Sequence, residues 1–379
     1  MAGKEENSFD YIIVGGGLAG LQLALAFIED DFFKSKIIAI IEPSKKEVND
    51  KTWCFWEEGK GKWEALIHKQ WSEGKFVTNE INQSMEMGAY QYKMIRSIDF
   101  YRYALSKVEA AENVSWIEAT VQSVEKNTCL TDNGKIEGKI IFDSRISQDF
   151  NKEKGNTILQ HFKGIVIETK KPFFNDNSFT MMDFRLGYND LCCFTYVLPF
   201  SATKALVEFT FFSPDLVENK VYDELIKQYI QEKLKLTEYE IYEEEKGVIP
   251  MSDYPFWKEN KKTYLKIGTG GGWVKASSGY SFKNTERKVQ QIIQNLKKSK
   301  SLDYQLFKKR FYFYDRIFLR ILKEKNHLGN QLLQEMYLKN EAKAIFKFLD
   351  ETSNPLEEFK IINSFKRKPF LWSLSKDII

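Results

Sequence analysis

Gly15, Gly17 and Gly20 fill the three slots of a G-x-G-x-x-G pattern, and Glu42 follows the last of them by 22 residues. This set does binding chemistry. The first glycine permits a tight turn, the second lets backbone approach a pyrophosphate, and the third lets a helix pack closely on a strand. Glu42 is placed to accept hydrogen bonds from an adenosine ribose. The elements that must position these residues surround them in the sequence. Residues 11–14 are an apolar run suited to a buried parallel strand. Residues 21–28 continue as a helix whose N-terminal N–H groups and dipole point at phosphates. Residues 37–41 form a second apolar strand, which Glu42 ends. This order predicts a bound dinucleotide, FAD ahead of NAD, because flavoprotein chains usually open with this unit.

A second set offers acid–base chemistry. Glu208 lies in an apolar, β-rich run between Val207 and Phe209. Apolar surroundings raise a carboxyl pKa and make the group a proton donor near neutral pH. Leu206, Glu208, Thr210 and Phe212 share one face of that strand. An outward-facing charge on a half-exposed strand accounts for the same pattern. Asp183 and Arg185 alternate onto one face of another strand, either to orient an acid or touch a cofactor, or as a structural ion pair.

Composition narrows the class. A chain of 379 residues can bury a large core and hold two interleaved domains. The net charge of +3 is too small to argue for nucleic acid. Aromatic residues reach 15%, which suits a pocket for a large apolar or polyene ligand. A codon bias toward Phe, Tyr, Lys, Ile and Asn produces the same figure. Cys54, Cys129, Cys192 and Cys193 form no C-x-x-C pair. His68, His161 and His327 make no metal-ligand spacing, so no metal centre is expected. The cysteines read as reduced thiols of a cytosolic protein. The longest apolar stretch, residues 11–28, is broken by the triple glycine Gly15–Gly17 and by Gln22, so membrane contact would be peripheral. Residues 307–320 mix Phe307, Phe311, Phe313 and Phe318 with Lys308, Lys309, Arg310, Arg316 and Arg320. Such a helix either lies on an anionic bilayer or buries one face in the core.

The order of elements gives the fold class. Residues 50–100 are a long excursion carrying Trp53, Trp56, Trp63 and Trp71, after which a helix and a hairpin lead to Asp143-Ser144-Arg145. Many flavoproteins place a similar group beside the cofactor. Four β-rich segments between 162 and 212 and a helix over 217–235 read as a separate sheet. A strand from 264 enters a glycine cluster at Gly268–Gly272, and the chain beyond 284 is helical. The expected class is α/β. A Rossmann-like FAD-binding domain (1–159 with 247–285) carries an inserted antiparallel β-sheet domain (160–246) and a helical C-terminal region (286–379). In outline this is a para-hydroxybenzoate hydroxylase-like flavoprotein.

Further runs follow in a fixed order: Asp50-Lys51-Thr52-Trp53-Cys54-Phe55-Trp56, Met182-Asp183-Phe184-Arg185, Leu206-Val207-Glu208-Phe209-Thr210, Gly247-Val248-Ile249-Pro250-Met251 and Ser277-Ser278-Gly279-Tyr280-Ser281-Phe282. Together, behind the glycine fingerprint, they resemble the bacterial lycopene beta-cyclase family over residues 9–285, and more loosely beyond. The resemblance implies FAD, active in its reduced form, with NAD(P)H as electron donor. It implies cyclisation of the linear ends of lycopene to β-rings, giving γ-carotene and β-carotene without net oxidation. It makes Glu208 the acid and base, with Asp183 and Arg185 beside it. It assigns Asp143, Gly268, Gly271 and Gly272 to the flavin, and Trp53, Phe55, Trp56, Phe209 and Tyr280 to the polyene pocket. It implies a cytoplasmic protein held peripherally on the inner face of the cell membrane. Thr269 stands where many related flavoproteins have aspartate, and Ser277 and Ser278 depart from the family's usual Pro-Thr-Thr. Two other readings use the same residues: a flavin monooxygenase or reductase of an isoprenoid or aromatic substrate, and a non-catalytic polyene escort. Oligomeric state, and whether one or both ends react, are not legible.

Overall fold

A computed structural model describes residues 8–151 and 155–377; the polar residues 1–7 lie outside it. Strand β1 (Ser8–Val14), helix α1 (Leu18–Glu29) and strand β2 (Ile38–Ile41) form the opening unit. Tyr11–Val14 and Ile38–Ile41 are buried throughout, which is why they read as unbroken apolar runs. The excursion contains β3 (Thr52–Glu58), β4 (Lys69–Trp71), β5 (Glu73–Val77), β6 (Asn82–Glu86) and β7 (Tyr90–Arg96). Helix α2 (Ser97–Glu109) leads to β8 (Val114–Ile117), β9 (Val121–Glu125), β10 (Thr128–Thr131) and β11 (Gly134–Asp143). Next come β12 (Thr157–Glu168), β13 (Ser178–Asp183), β14 (Cys192–Pro199), β15 (Lys204–Ser213), α3 (Asn219–Glu232) and β16 (Glu240–Ser252). Strand β17 (Tyr264–Lys266) precedes six helices: α4 (Phe282–Lys297), α5 (Lys309–Glu324), α6 (Gly329–Lys339), α7 (Ala342–Leu349), α8 (Pro355–Ser364) and α9 (Arg367–Ser375).

The first sheet has the order β8-β2-β1-β11-β10-β9, with β17 beside β11. Strand β1 is parallel to β2 on one side and to β11 on the other. Connections diverge at its carboxyl end, where open α/β sheets leave a crevice for a ligand. The second sheet has the order β16-β12-β15-β14-β13-β5-β6. Its β5 and β6 come from the excursion, and β5 runs parallel to β13. The boundaries expected at 160 and 246 fall inside β12 and β16.

Alternation along β15 separates two environments. Ala205, Val207, Phe209 and Phe211 pack under α3 against Tyr222, Leu225 and Tyr229. Leu206 and Phe212 turn the other way and join the core that includes α5, α6 and α7.

The 307–320 region resolves in favour of a core helix. Phe311, Phe318 and Leu319 of α5 are buried. Arg310 pairs with Glu358, and Arg316 and Arg320 pair with Asp377. Three of the basic residues expected to meet lipid, Arg310, Arg316 and Arg320, are thus held by carboxylates of this chain, while Lys308 and Lys309 are exposed.

Candidate active site

A cavity of about 650 Å³ lies between the two sheets. Gly17, Gly20, Ser144, Gly268 and Thr269 line it from the first sheet. Gln160, Phe162, Tyr196, Leu206, Glu208 and Glu245 line it from the second. Trp53 and Cys54 of β3, Tyr92 of β7 and Tyr280 complete the wall.

The first wall is built of backbone. Helix α1 starts without a side-chain cap, so its first N–H groups lack partners within the helix. A Cβ on Gly17 would meet nothing within 4 Å, whereas one on Gly20 would stand 1.9 Å from the carbonyl oxygen of Gly15. Gly17 thus leaves room at the cavity, and Gly20 lets α1 lie on the turn before it. Glu42 accepts from the N–H groups of Gly16 at 2.7 Å and Ser44 at 3.0 Å, and it pairs with Lys46 at 3.1 Å. Free helix N–H groups, an open glycine and a carboxylate at the tip of β2 fit a dinucleotide pyrophosphate and ribose.

The second wall carries the titratable groups. Tyr196, Glu208, Gly164 and Glu245 form one rung across β14, β15, β12 and β16. Glu208 is only 8% exposed, and its Oε1 accepts from Thr210 Oγ1 at 2.8 Å. Burial, then the neighbouring Glu245 carboxyl, pushes its pKa well above the usual glutamate range. Burial also raises Glu245, whose Oε2 accepts from Thr52 Oγ1 at 2.6 Å. The hydroxyls of Tyr92 and Tyr280 lie 3.0 Å apart. Burial pushes both phenols, and the Cys54 thiol, upward, so all three stay neutral near pH 7. The cavity therefore joins a phosphate-type cradle to a buried, protonatable carboxyl.

A sequence profile described as lycopene cyclase protein matches residues 10–373. The chain belongs to the lycopene cyclase family. No curated protein matches it by sequence. Solved structures share its fold at low identity. A geranylgeranyl bacteriochlorophyll reductase-like protein from Thermoplasma acidophilum is 13% identical with a TM-score of 0.59, over 98% of this chain and 99% of that one. A flavin-dependent brominase is 12% identical with a TM-score of 0.59, over 98% and 99%. A probable FAD-dependent monooxygenase from Pseudomonas aeruginosa is 10% identical with a TM-score of 0.58, over 91% and 100%. These neighbours share the α/β architecture expected from the sequence.

Within this lycopene cyclase family chain, Gly17, Gly20, Gly268, Trp53, Tyr280 and Glu208 border the cavity. Gly15 forms the turn at φ +99°, where a Cβ would strike Ser144. Other expected site residues lie elsewhere. Asp183 and Arg185 do not reach the cavity. A register shift between Thr180 and Asp183 adds a residue to β13, so Met181 and Met182 both enter the core and Asp183 turns toward α3. There Asp183 binds Arg185 at 2.5 Å and accepts from the Tyr229 hydroxyl at 2.7 Å. Phe209 packs on the same side, under α3.

Asp143 is fully buried and held by Arg145, Lys266 and Tyr264; its neighbour Ser144 faces the cavity instead. Burial opposes ionisation of Asp143, but Arg145 and Lys266 prevail and hold its carboxyl below the usual aspartate range. Gly271 and Gly272 serve packing, since a Cβ would come within 2.4 Å of Lys266 O and 2.7 Å of Phe256 respectively. Phe55 stacks on Phe282 at 4.7 Å, and Trp56 stacks on Phe346 at 4.6 Å, both in core.

Sequence reasoning missed Glu245, Tyr196 and Tyr92. Period-two alternation puts Glu243, Glu245, Gly247 and Ile249 on one face of β16, which is a weak signal. Three consecutive glutamates, Glu243–Glu245, resemble a solvated run. The choice among them needs the register with β12.

Proposed function

We propose that this chain is an FAD-dependent lycopene cyclase that closes β-rings by moving a proton. The observation that carries this reading is Glu208, a buried carboxyl of raised pKa facing a cavity whose other wall is a dinucleotide cradle.

Gly17, Gly20, Gly268 and Thr269 are the residues to hold FAD, with Glu42 at the ribose. Reduced flavin, when bound, supplies negative charge that favours a carbocation nearby. The protein's own part is acid–base work. Glu208 gives a proton to C2 of the terminal C1=C2 bond. The C5=C6 pair attacks C1 and closes the six-membered ring. Glu208 then takes the proton from C6, and the C6–H pair becomes the new C5=C6 bond. Substrate and product are isomers, so NAD(P)H serves only to keep flavin reduced. Trp53, Tyr92, Tyr196 and Tyr280 offer aromatic faces to the cation and exclude water.

Substrate delivery calls for a lipid surface. No helix among the described residues is long and apolar enough to cross a membrane. Helix α8 exposes Leu356 (77%), Phe359 (65%) and Ile362 (40%) at three-residue spacing, and α9 exposes Leu371 (61%). Lys360, Lys366, Arg367 and Lys368 are exposed among them. Apolar side chains flanked by lysine and arginine suit peripheral docking on anionic lipid.

The test is expression in lycopene-accumulating bacteria with pigment analysis. New carotenoids of unchanged mass support cyclisation. A mass increase with stoichiometric NAD(P)H use identifies a monooxygenase or reductase. Bound but unconverted lycopene, with reduced flavin present, identifies an escort.

A further inference from the structure

Gly164 of β12 stands between Glu208 of β15 and Glu245 of β16, paired with each across the sheet. All three positions point to the cavity face. Strands two apart in a sheet are about 10 Å from each other, a gap that an intervening side chain normally fills. Here Gly164 supplies none, and the end of the Leu206 side chain, with Cδ1 2.9 Å from where a Cβ would stand, leans into part of the gap. A Cβ on Gly164 would lie 3.2 Å from Glu208 Cβ and 3.2 Å from Glu245 Cγ. The missing side chain lets the two carboxyls approach over the middle strand.

Their remaining partners leave one position open. Thr210 donates to Glu208 Oε1, and Thr52 donates to Glu245 Oε2. Glu245 Oε1 is completely buried and has no hydrogen-bond donor among the described residues. Two ionised carboxylates could not supply one. Among the described residues no cation forms an ion pair with either carboxyl: Arg96, whose charge only partly offsets the burial of Glu245, binds Glu243 at 2.8 Å, and Lys246 binds Asn219. The other groups facing the pair, Tyr196, Tyr280 and Cys54, are neutral near pH 7.

We propose that Glu208 and Glu245 hold a single proton between them across Gly164, with Glu245 positioning that proton for donation by Glu208. This rests on the reading of Glu208 as the acid. It deepens that reading by naming where the proton resides and why it returns. One proton satisfies the orphaned oxygen and removes the repulsion of two adjacent negative charges. Donation to C2 breaks the O–H bond, forms a C–H bond and leaves two carboxylates side by side. That repulsion makes the pair a strong base toward the C6 proton. Retrieval restores the shared proton, so each ring closure leaves the pair as it began.

The experiment is infrared titration of the protonated-carboxyl stretch in the FAD-loaded protein without lycopene. The wild type should keep one such band through neutral pH and lose it only in the alkaline range. Glu245→Gln should shift that loss at least tenfold in proton concentration toward lower pH. Gly164→Ala, which wedges a methyl group between the carboxyls, should shift it the same way by less, and it serves if Glu245→Gln does not fold. The alkaline limb of kcat against pH should move with the band in both variants. An unchanged titration in both variants overturns the shared proton, even if the protein cyclises lycopene. A shifted titration in a protein with no cyclase activity upholds the pair and overturns only the assigned reaction.

Discussion

Gly17 and Glu208 border the same cavity from opposite sides, one on the turn that starts α1 and the other in the middle of β15. The two ends of the proposed chemistry can therefore be disabled separately.

Gly17→Val should leave the fold intact, because its Cβ enters open space. Flavin retention, read from visible absorbance of the purified protein, should be lost. Gly20→Val should behave differently, since its Cβ would collide with the Gly15 carbonyl. Its expected defect is a lower melting temperature. Normal flavin content in Gly17→Val would remove the glycine cradle as the cofactor site.

Glu208→Gln keeps size and polarity but carries no transferable proton. Flavin binding should persist while cyclisation falls by roughly 10²–10⁴-fold, as for a lost general acid. Pigment analysis and flavin absorbance on the same preparation check both halves. Near-normal β-carotene output would eliminate Glu208 as the donor.

Asp183→Asn should cost stability rather than chemistry. Its carboxylate serves Arg185 and Tyr229 on the side of the sheet away from the cavity. Weakening those charged hydrogen bonds should cost about 2 kcal/mol, seen as a lower denaturation midpoint. Activity per folded molecule should hold; a selective loss of kcat would return Asp183 to the site.

His161 gives an acid sensitivity unrelated to catalysis. It is fully buried, with Tyr222 at Nδ1 and Ser213 at Nε2. Burial lowers its pKa from 6.5 to about 4. Between those values the unfolded chain binds a proton that the folded chain refuses. This group's contribution is thus complete above 6.5 and declines as pH falls toward about 4. His161→Gln should flatten the fall in denaturation midpoint over that window, even if the variant is less stable at pH 7. A pH profile parallel to wild type would refute the assignment.

Phe359→Glu and Leu371→Glu, each on an exposed apolar position, should weaken sedimentation with vesicles of anionic lipid. Flavin content should not change. Equal sedimentation of wild type and both variants would place the lipid contact elsewhere.

Legibility followed locality. The glycine turn, β1, β2 and Glu42 are contiguous or nearly so, and their pattern states their geometry. Glu208 was legible as an acid among apolar residues, and strict alternation carried it to the cavity. Asp183 misled because alternation fails at the register shift after Thr180, which nothing in Met181-Met182-Asp183 announces. Glu245 was hidden for a different reason. Its partner lies across β12, which at that rung has only Gly164 and no side chain, and pairing register is a long-range property. Phe55, Trp56 and Phe209 have the right chemistry for a polyene pocket, but core packing takes the same residue types.

The sheet that carries Glu208 is not the property of the segment that carries Glu208. Strands β5 and β6 are translated well before β12, yet they close the edge beyond β13. A fragment beginning at β12 would present the flank of β13 bare, a surface prone to pairing with other chains. Chimeras between cyclases that exchange only the later segment would join strand edges never selected to match. Crossovers that move residues 73–86 together with the later segment keep each strand with its own neighbour. They are the recombinants expected to fold as one cooperative unit.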